Sequence, residues 1–152
     1  MIKERYVDFE TAKLLKRKGF DERCKGFYSI WNNLNGDKDY GKFKFWEGEG
    51  SCHSEFKDWK DYEMVSAPTY QMVCSWLRQK SIHITVHYSS PDVSLPFYGS
   101  LVNLKDGASL VLEKSFATAE EAEEHAVKFY LEKYMKDATK KKHTKGRAPK
   151  GV

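Results

Sequence analysis

The chain has 152 residues, 40% apolar and 14% aromatic, which is long enough for one domain with a real core and too apolar for a disordered segment. No run approaches the roughly 18 apolar residues of a membrane helix, and the charged opening MIKERYVDFETAK lacks the apolar stretch of a secretory leader. The formal charge of +4 is unevenly placed: from Lys136 onward seven basic residues face only Asp137, so residues 136–152 carry +6 and residues 1–135 carry −2.

The pI of 8.8 therefore describes a basic tail on a mildly acidic body. Cys24, Cys52 and Cys74 form no CxxC and leave one over under any pairing. That predicts reduced thiols and a cytoplasmic protein rather than a disulfide framework.

In chain order, residues 8–19 read as a first helix. Asp8 is placed to cap it, Glu10 puts a negative charge in its first turn, and Gly19 closes it before Phe20. Ten of the 22 aromatic residues then lie between Phe27 and Tyr62. Segments 26–31 and 41–46 read as a hairpin with a long loop around Asn35-Gly36. Within it Phe43 and Phe45 alternate with Lys42 and Lys44, giving one apolar and one basic face. The rings either build a core or sheet face, or form a stacking platform or peptide groove, because rings interleaved with lysines suit single-stranded nucleic acid.

Residues 47–54, EGEGSCHS, read as a flexible acidic loop. Its glycines cradle no phosphate, since neither GxxxxGK[ST] nor a complete GxGxxG follows. Cys52 adjoins His53, but neighbours in an extended segment point apart and no orienting acid accompanies them.

Ser66 and Pro68 read as the cap and first residue of a central helix. Tyr70, Val73, Cys74 and Leu77 form its apolar stripe, with Trp76 beside it and Arg78 and Lys80 near its negative pole. After Ser81 the period changes to two: Ile82, Ile84, Val86 and Tyr88 predict a buried face, and His83, Thr85 and His87 a wet one. The two histidines stand roughly 13 Å apart along such a strand, too far to share one ion.

Pro91 and Pro96 bracket an irregular link. Residues 97–104 and 109–116 read as strands around the turn Lys105-Asp106-Gly107. Thr118 opens the last helix in a capping box with Glu121, ahead of the buried side marked by Ala119, Ala122, Ala126 and Phe129. Tyr130, Leu131 and Tyr134 extend that side, while Glu120, Glu121, Glu123 and Glu124 occupy the positive pole.

From Ser66 to Tyr134 the order helix, strand, strand, strand, helix resembles the double-stranded RNA-binding domain. That resemblance implies two helices on one face of a three-stranded antiparallel sheet. The family's second helix opens with lysines that grip phosphates; the matching positions here are Glu120, Glu121, Glu123 and Glu124, which would repel a duplex, so the function does not carry over. FETAKLLKRKGFDERC, SAPTYQMVCSWLRQKSIHITVHY and FATAEEAEEHAVKFYLEKY also look like segments of small proteins of uncharacterised function from phages and mobile elements of gut anaerobic bacteria. This likeness implies a provenance and a shared fold, and no activity.

These readings predict an α+β fold: one domain over residues 1–135, with helices packed on one face of an antiparallel sheet, then a disordered basic tail over 136–152. Cys52, His53, Asp58, Asp61, His83 and His87 are the candidate reactive groups, and spacing assembles none of them into a site. No catalytic residue, metal or cofactor is therefore assigned. The chain reads as a binding module that contacts no membrane. Lys42, Phe43, Lys44, Phe45 and Trp46 are its candidate nucleic-acid residues, helped by Lys140, Lys141, Lys142, Lys145 and Arg147 in the tail. The alternative is a small regulator or inhibitor that binds a host or phage protein through its aromatic-rich surface.

Overall fold

The computed structural model describes residues 3–31, 41–52 and 62–138. Within them the order is α1 (Phe9–Arg17), β1 (Cys24–Trp31), β2 (Phe43–Ser51), β3 (Tyr62–Ala67), α2 (Tyr70–Gln79), β4 (Ile82–Tyr88), β5 (Phe97–Asn103), β6 (Ser109–Phe116) and α3 (Ala119–Lys133). The fold is α+β, and its strands form two antiparallel three-stranded sheets, ordered β2-β1-β3 and β4-β5-β6. The expected single sheet is thus two: β3 pairs with β1 and β4 with β5, and α2 lies between β3 and β4 in the chain.

The caps form as side-chain chemistry demands. Asp8 Oδ1 accepts from the Thr11 N–H at 2.8 Å, and Gly19 follows α1 with φ of 92°. Thr118 Oγ1 accepts from the Glu121 N–H at 3.2 Å, and Glu121 reaches back to that hydroxyl at 2.9 Å rather than to the backbone. At α2 the cap is Thr69, whose hydroxyl accepts from the Met72 N–H, so the expected Ser66–Pro68 start is corrected. Ser66 belongs to β3 and is fully buried, and the Pro68 carbonyl accepts from the Val7 N–H at 2.9 Å.

One core joins the two sheets through the helices. Ile30, Val65 and Ala67 of the first sheet, Leu14 and Leu15 of α1, the stripe Tyr70, Val73, Cys74 and Leu77 of α2, and Val127 and Leu131 of α3 are all buried in one cluster. Ile82 and Ile84 of β4 pack against it from the second sheet. Trp76 widens the α2 stripe and meets Phe20 edge-on at 5.3 Å. On α3 the buried positions are Ala122, Ala126, Val127 and Leu131, whereas Tyr134 is 57% exposed.

Two further expectations change. Glu47–Ser51, read as a loop, is the second half of β2: Glu47 pairs with Gly26 and Ser51 with Cys24 across a bulge in the ladder. β3 carries no strand signal in its sequence, because YEMVSA has no clean alternation and its Val65, Ser66 and Ala67 are all buried. The body also continues beyond residue 135, since the Ala138 N–H donates to the Arg17 carbonyl at 2.8 Å. The expected disorder from residue 139 onward lies outside the described residues. No helix among the described residues is long and apolar enough to cross a membrane.

Candidate functional site

β2 decides where the sequence-predicted residues point. Residues 41–49 are exposed throughout, although β2 pairs with β1 from Phe43 to Glu47 and again at Ser51. Directly paired residues in an antiparallel sheet share a face. Phe27 pairs with Trp46 and Ser29 with Lys44, which sets these four on the face turned away from the core. Tyr28 pairs with Phe45 and Ile30 with Phe43 on the opposite, α1-facing side.

On the outer face the Phe27 and Trp46 rings are near-parallel, 16° apart with centroids 6.5 Å from each other. Trp46 Nε1–H donates to Ser29 Oγ at 2.8 Å, which anchors the indole while leaving it 42% exposed. The Lys44 ammonium lies 4.3 Å from the Trp46 ring centroid, where the negative π face attracts it. Lys42 is exposed immediately before the strand, and the carboxylate of Glu47 is turned to the other face. An anchored ring, a neighbouring ring and a cation can receive a flat, negatively backed ligand.

Phe43 and Phe45 play a different part. Phe9 of α1 stacks on Phe43 at 4.2 Å, Tyr28 meets the edges of both Phe43 and Phe45, and Tyr6 tilts over Phe45 at 5.1 Å. The Tyr6 hydroxyl lies within donating reach of the carboxylates of both Glu47 and Glu4, which share its one proton; burial first, and then these acceptors, push its pKa up. This ladder of rings braces β2 against the body, yet Phe43 remains 52% and Phe45 38% exposed. The five residues 42–46 therefore divide between the two faces. The tail candidates Lys140, Lys141, Lys142, Lys145 and Arg147 lie outside the described residues.

A cleft of about 350 Å³ opens between the N-terminal segment, α2 and α3. Arg5 Nη1–H donates to Glu123 Oε1 at 2.9 Å, Nη2–H reaches Glu124 Oε1 and the Glu120 carbonyl at 3.3 Å each, and the guanidinium lies 4.9 Å from the Tyr70 centroid. The Cys74 thiol faces Glu123 Oε2 at 3.9 Å. Burial, reinforced by Glu123, pushes its pKa up to about 11, so it is a neutral thiol at pH 7 and a poor nucleophile. The cleft accounts for the glutamates of α3 in a way the sequence did not suggest: Arg5 holds two of their carboxylates.

The reactive-group candidates stay dispersed. Cys52 follows β2 of the first sheet, while His83 and His87 lie on β4 of the second. His87 Nε2 sits 2.8 Å from Ser100 Oγ, and its ring stacks on Tyr98. His53, Asp58 and Asp61 lie outside the described residues. Among the described residues no three His, Cys, Asp or Glu side chains converge as metal ligands would.

Sequence reasoning missed Phe27 and Ser29 as partners of Trp46, and Arg5 altogether. Alternation within β1 carries the signal for the first two, since Phe27 and Ser29 share a parity opposite to the buried Cys24, Gly26 and Ile30. Nothing local marks Arg5. Compared with known proteins, the chain matches no family model, no curated protein and no solved structure.

Proposed function

We propose that this chain is a cytoplasmic, non-enzymatic binding module whose first sheet receives single-stranded nucleic acid on the outer face of β2. The observation that carries this reading is the Lys44–Trp46 pair. An indole held by Ser29 and flanked by Phe27 offers a stacking surface, and the ammonium beside it offers a phosphate contact. The +6 tail adds sequence-independent attraction that raises encounter rates and weakens with salt. A duplex is the poorer ligand, because its bases are already stacked on one another.

Fluorescence anisotropy against labelled single strands and duplexes of DNA and RNA, over a salt series, tests this reading. The full chain, a 1–138 truncation and Trp46→Ala are run together. Single strands should bind both the full chain and the truncation, and Trp46→Ala should weaken binding about tenfold, the value of one stacked base. Binding that vanishes with the tail would reduce the role to electrostatic tethering, and binding indifferent to Trp46 would remove the platform.

A second reading is favoured by the exposure of Phe43 and Phe45 on the face opposite Trp46. Half-exposed rings beside an exposed strand suit a protein partner, as for a small regulator of a host or phage enzyme. Affinity capture that yields a stoichiometric protein and no nucleic acid would shift the assignment to it.

A further inference from the structure

β2 is an edge strand: in the order β2-β1-β3 its only strand partner among the described residues is β1. Alternate N–H and C=O groups along such an edge point away from the sheet and form a template for another strand. Natural edges are usually short, kinked or guarded by charge of one sign. β2 is nine residues long, in regular register from Phe43 to Glu47 and bulged only beyond it. Together with Lys42 just before it, it carries a charge gradient, KFKFWEGE over residues 42–49, with lysines first and glutamates after.

We propose that β2 pairs antiparallel with β2 of a second copy of this chain, joining two three-stranded sheets into one of six strands. Antiparallel self-pairing is what the gradient selects. It lays the basic half of one strand along the acidic half of the other, whereas a parallel arrangement sets lysine against lysine and glutamate against glutamate.

The two-fold axis of such a pair stands normal to the sheet, so each side chain keeps its own face and residues of equal parity oppose one another. Centred on Phe45, the pairing sets Lys44 opposite Trp46 of the second copy, which extends the Lys44–Trp46 contact across the junction. It also sets Phe45 against its counterpart and Lys42 opposite Gly48, between the two glutamates. Lys42 and Lys44 share the outer face while Glu47 lies on the inner one, so the complementarity acts along the edge rather than through facing ion pairs. The pairing would cover the three rings that β2 leaves 38–52% exposed. It uses the edge of the sheet, not its outer face, and does not rest on the nucleic-acid reading.

Sedimentation of the full chain over a range of protein and salt concentrations tests the proposal. A reversible dimer that weakens with salt is expected, as for a small interface with a strong electrostatic component. Lys42→Glu/Lys44→Glu and Glu47→Lys/Glu49→Lys should each weaken self-association about tenfold or more, because charge of one sign then runs along both edges where they meet. An equimolar mixture of the two variants should recover association as a heterodimer. Glu47 also accepts the Tyr6 hydroxyl, so Glu49→Lys alone is the control that leaves that bond in place. Amide exchange should show β2 protection rising with concentration. A monomer at every concentration, a dimer indifferent to both reversals, or concentration-dependent protection confined to another strand would each overturn the proposal.

Discussion

Arg5 and Glu123 lie 118 positions apart in the chain and meet at 2.9 Å. Their contact fastens the N-terminal segment to the first turns of α3, and the same guanidinium lies over Tyr70 at the start of α2. Three elements distant in sequence thus converge on one side chain. Its charge also offsets the repulsion among the glutamates that open α3.

Replacing Arg5 with Ala should cost about 1–2 kcal/mol, a partly exposed ion-pair network plus a cation–π contact. Arg5→Lys should recover only part of it, because an ammonium cannot bind two carboxylates as a fork. Thermal melts of the three proteins at low and high salt check this. Equal Tm values for wild type and Arg5→Ala would show that the clasp contributes nothing.

Gly26 is required by close approach, not by conformation. A Cβ there would sit 2.7 Å from the Ala67 carbonyl oxygen and 2.7 Å from Tyr6 Cδ1, so β1 and β3 would have to part. Gly26→Ala should cost about 1–3 kcal/mol. Gly48→Ala on the neighbouring strand meets nothing closer than Phe27 Cε1 at 3.8 Å and should change stability by less than about 0.5 kcal/mol. Denaturant titrations of both variants supply the comparison.

The three thiols should react in a definite order. Burial raises the pKa of both Cys24 and Cys74, the latter to about 11, while Cys52 is only half-buried. Iodoacetamide at neutral pH should therefore modify Cys52 first, which peptide mass mapping would report. The Cys74 thiol is favoured neutral in the folded chain, so its contribution to stability is intact below the unfolded value of 9.0 and is lost as pH rises toward 11. Cys74→Ala should flatten the alkaline decline of Tm over that window. Tyr28, Tyr70 and Tyr130 are shifted in the same direction and will keep some slope in the variant.

Truncation should discriminate between residues 138 and 135. The Lys18 ammonium, nearly buried, pairs with Asp137 at 2.9 Å and holds that carboxyl below its ordinary range, and the Ala138 N–H caps the Arg17 carbonyl. A chain ending at Ala138 should melt with the full-length protein, and one ending at Met135 should melt lower. Equal melting of all three would mean that the return of the chain onto α1 is energetically neutral.

Local chemistry made much of the architecture legible. A capped helix needs its cap within three residues and a strand needs only alternation, so Asp8, Gly19, the Tyr70–Leu77 stripe, the strand over Ile82–Tyr88 and the Thr118 box could be read from neighbours alone. The expected buried and wet faces of that strand do not separate: residues 82–87 are all half-buried and Tyr88 is exposed. What remained hidden depends on partners far along the chain. The second half of β3, Val65–Ala67, is buried on both faces and so shows no alternation; Glu47–Ser51 is a strand because β1 pairs with it, despite two glycines and two acids that suit a loop.

The same division runs through the candidate site. Composition alone marked residues 42–46 as rings among lysines. Which rings face outward was decided by the register of β2 on β1, because shifting a strand by one residue exchanges its two faces. Register set Trp46 and Lys44 beside Phe27 and Ser29, and turned Phe43 and Phe45 toward Phe9 and Tyr28. The sequence by itself determined the helices, five of the six described strands, β2 only in its first half, and the aromatic, basic character of β2. Only the tertiary structure decided the division into two sheets, the clasp at Arg5 and the direction of each ring, since these depend on contacts that no local window contains.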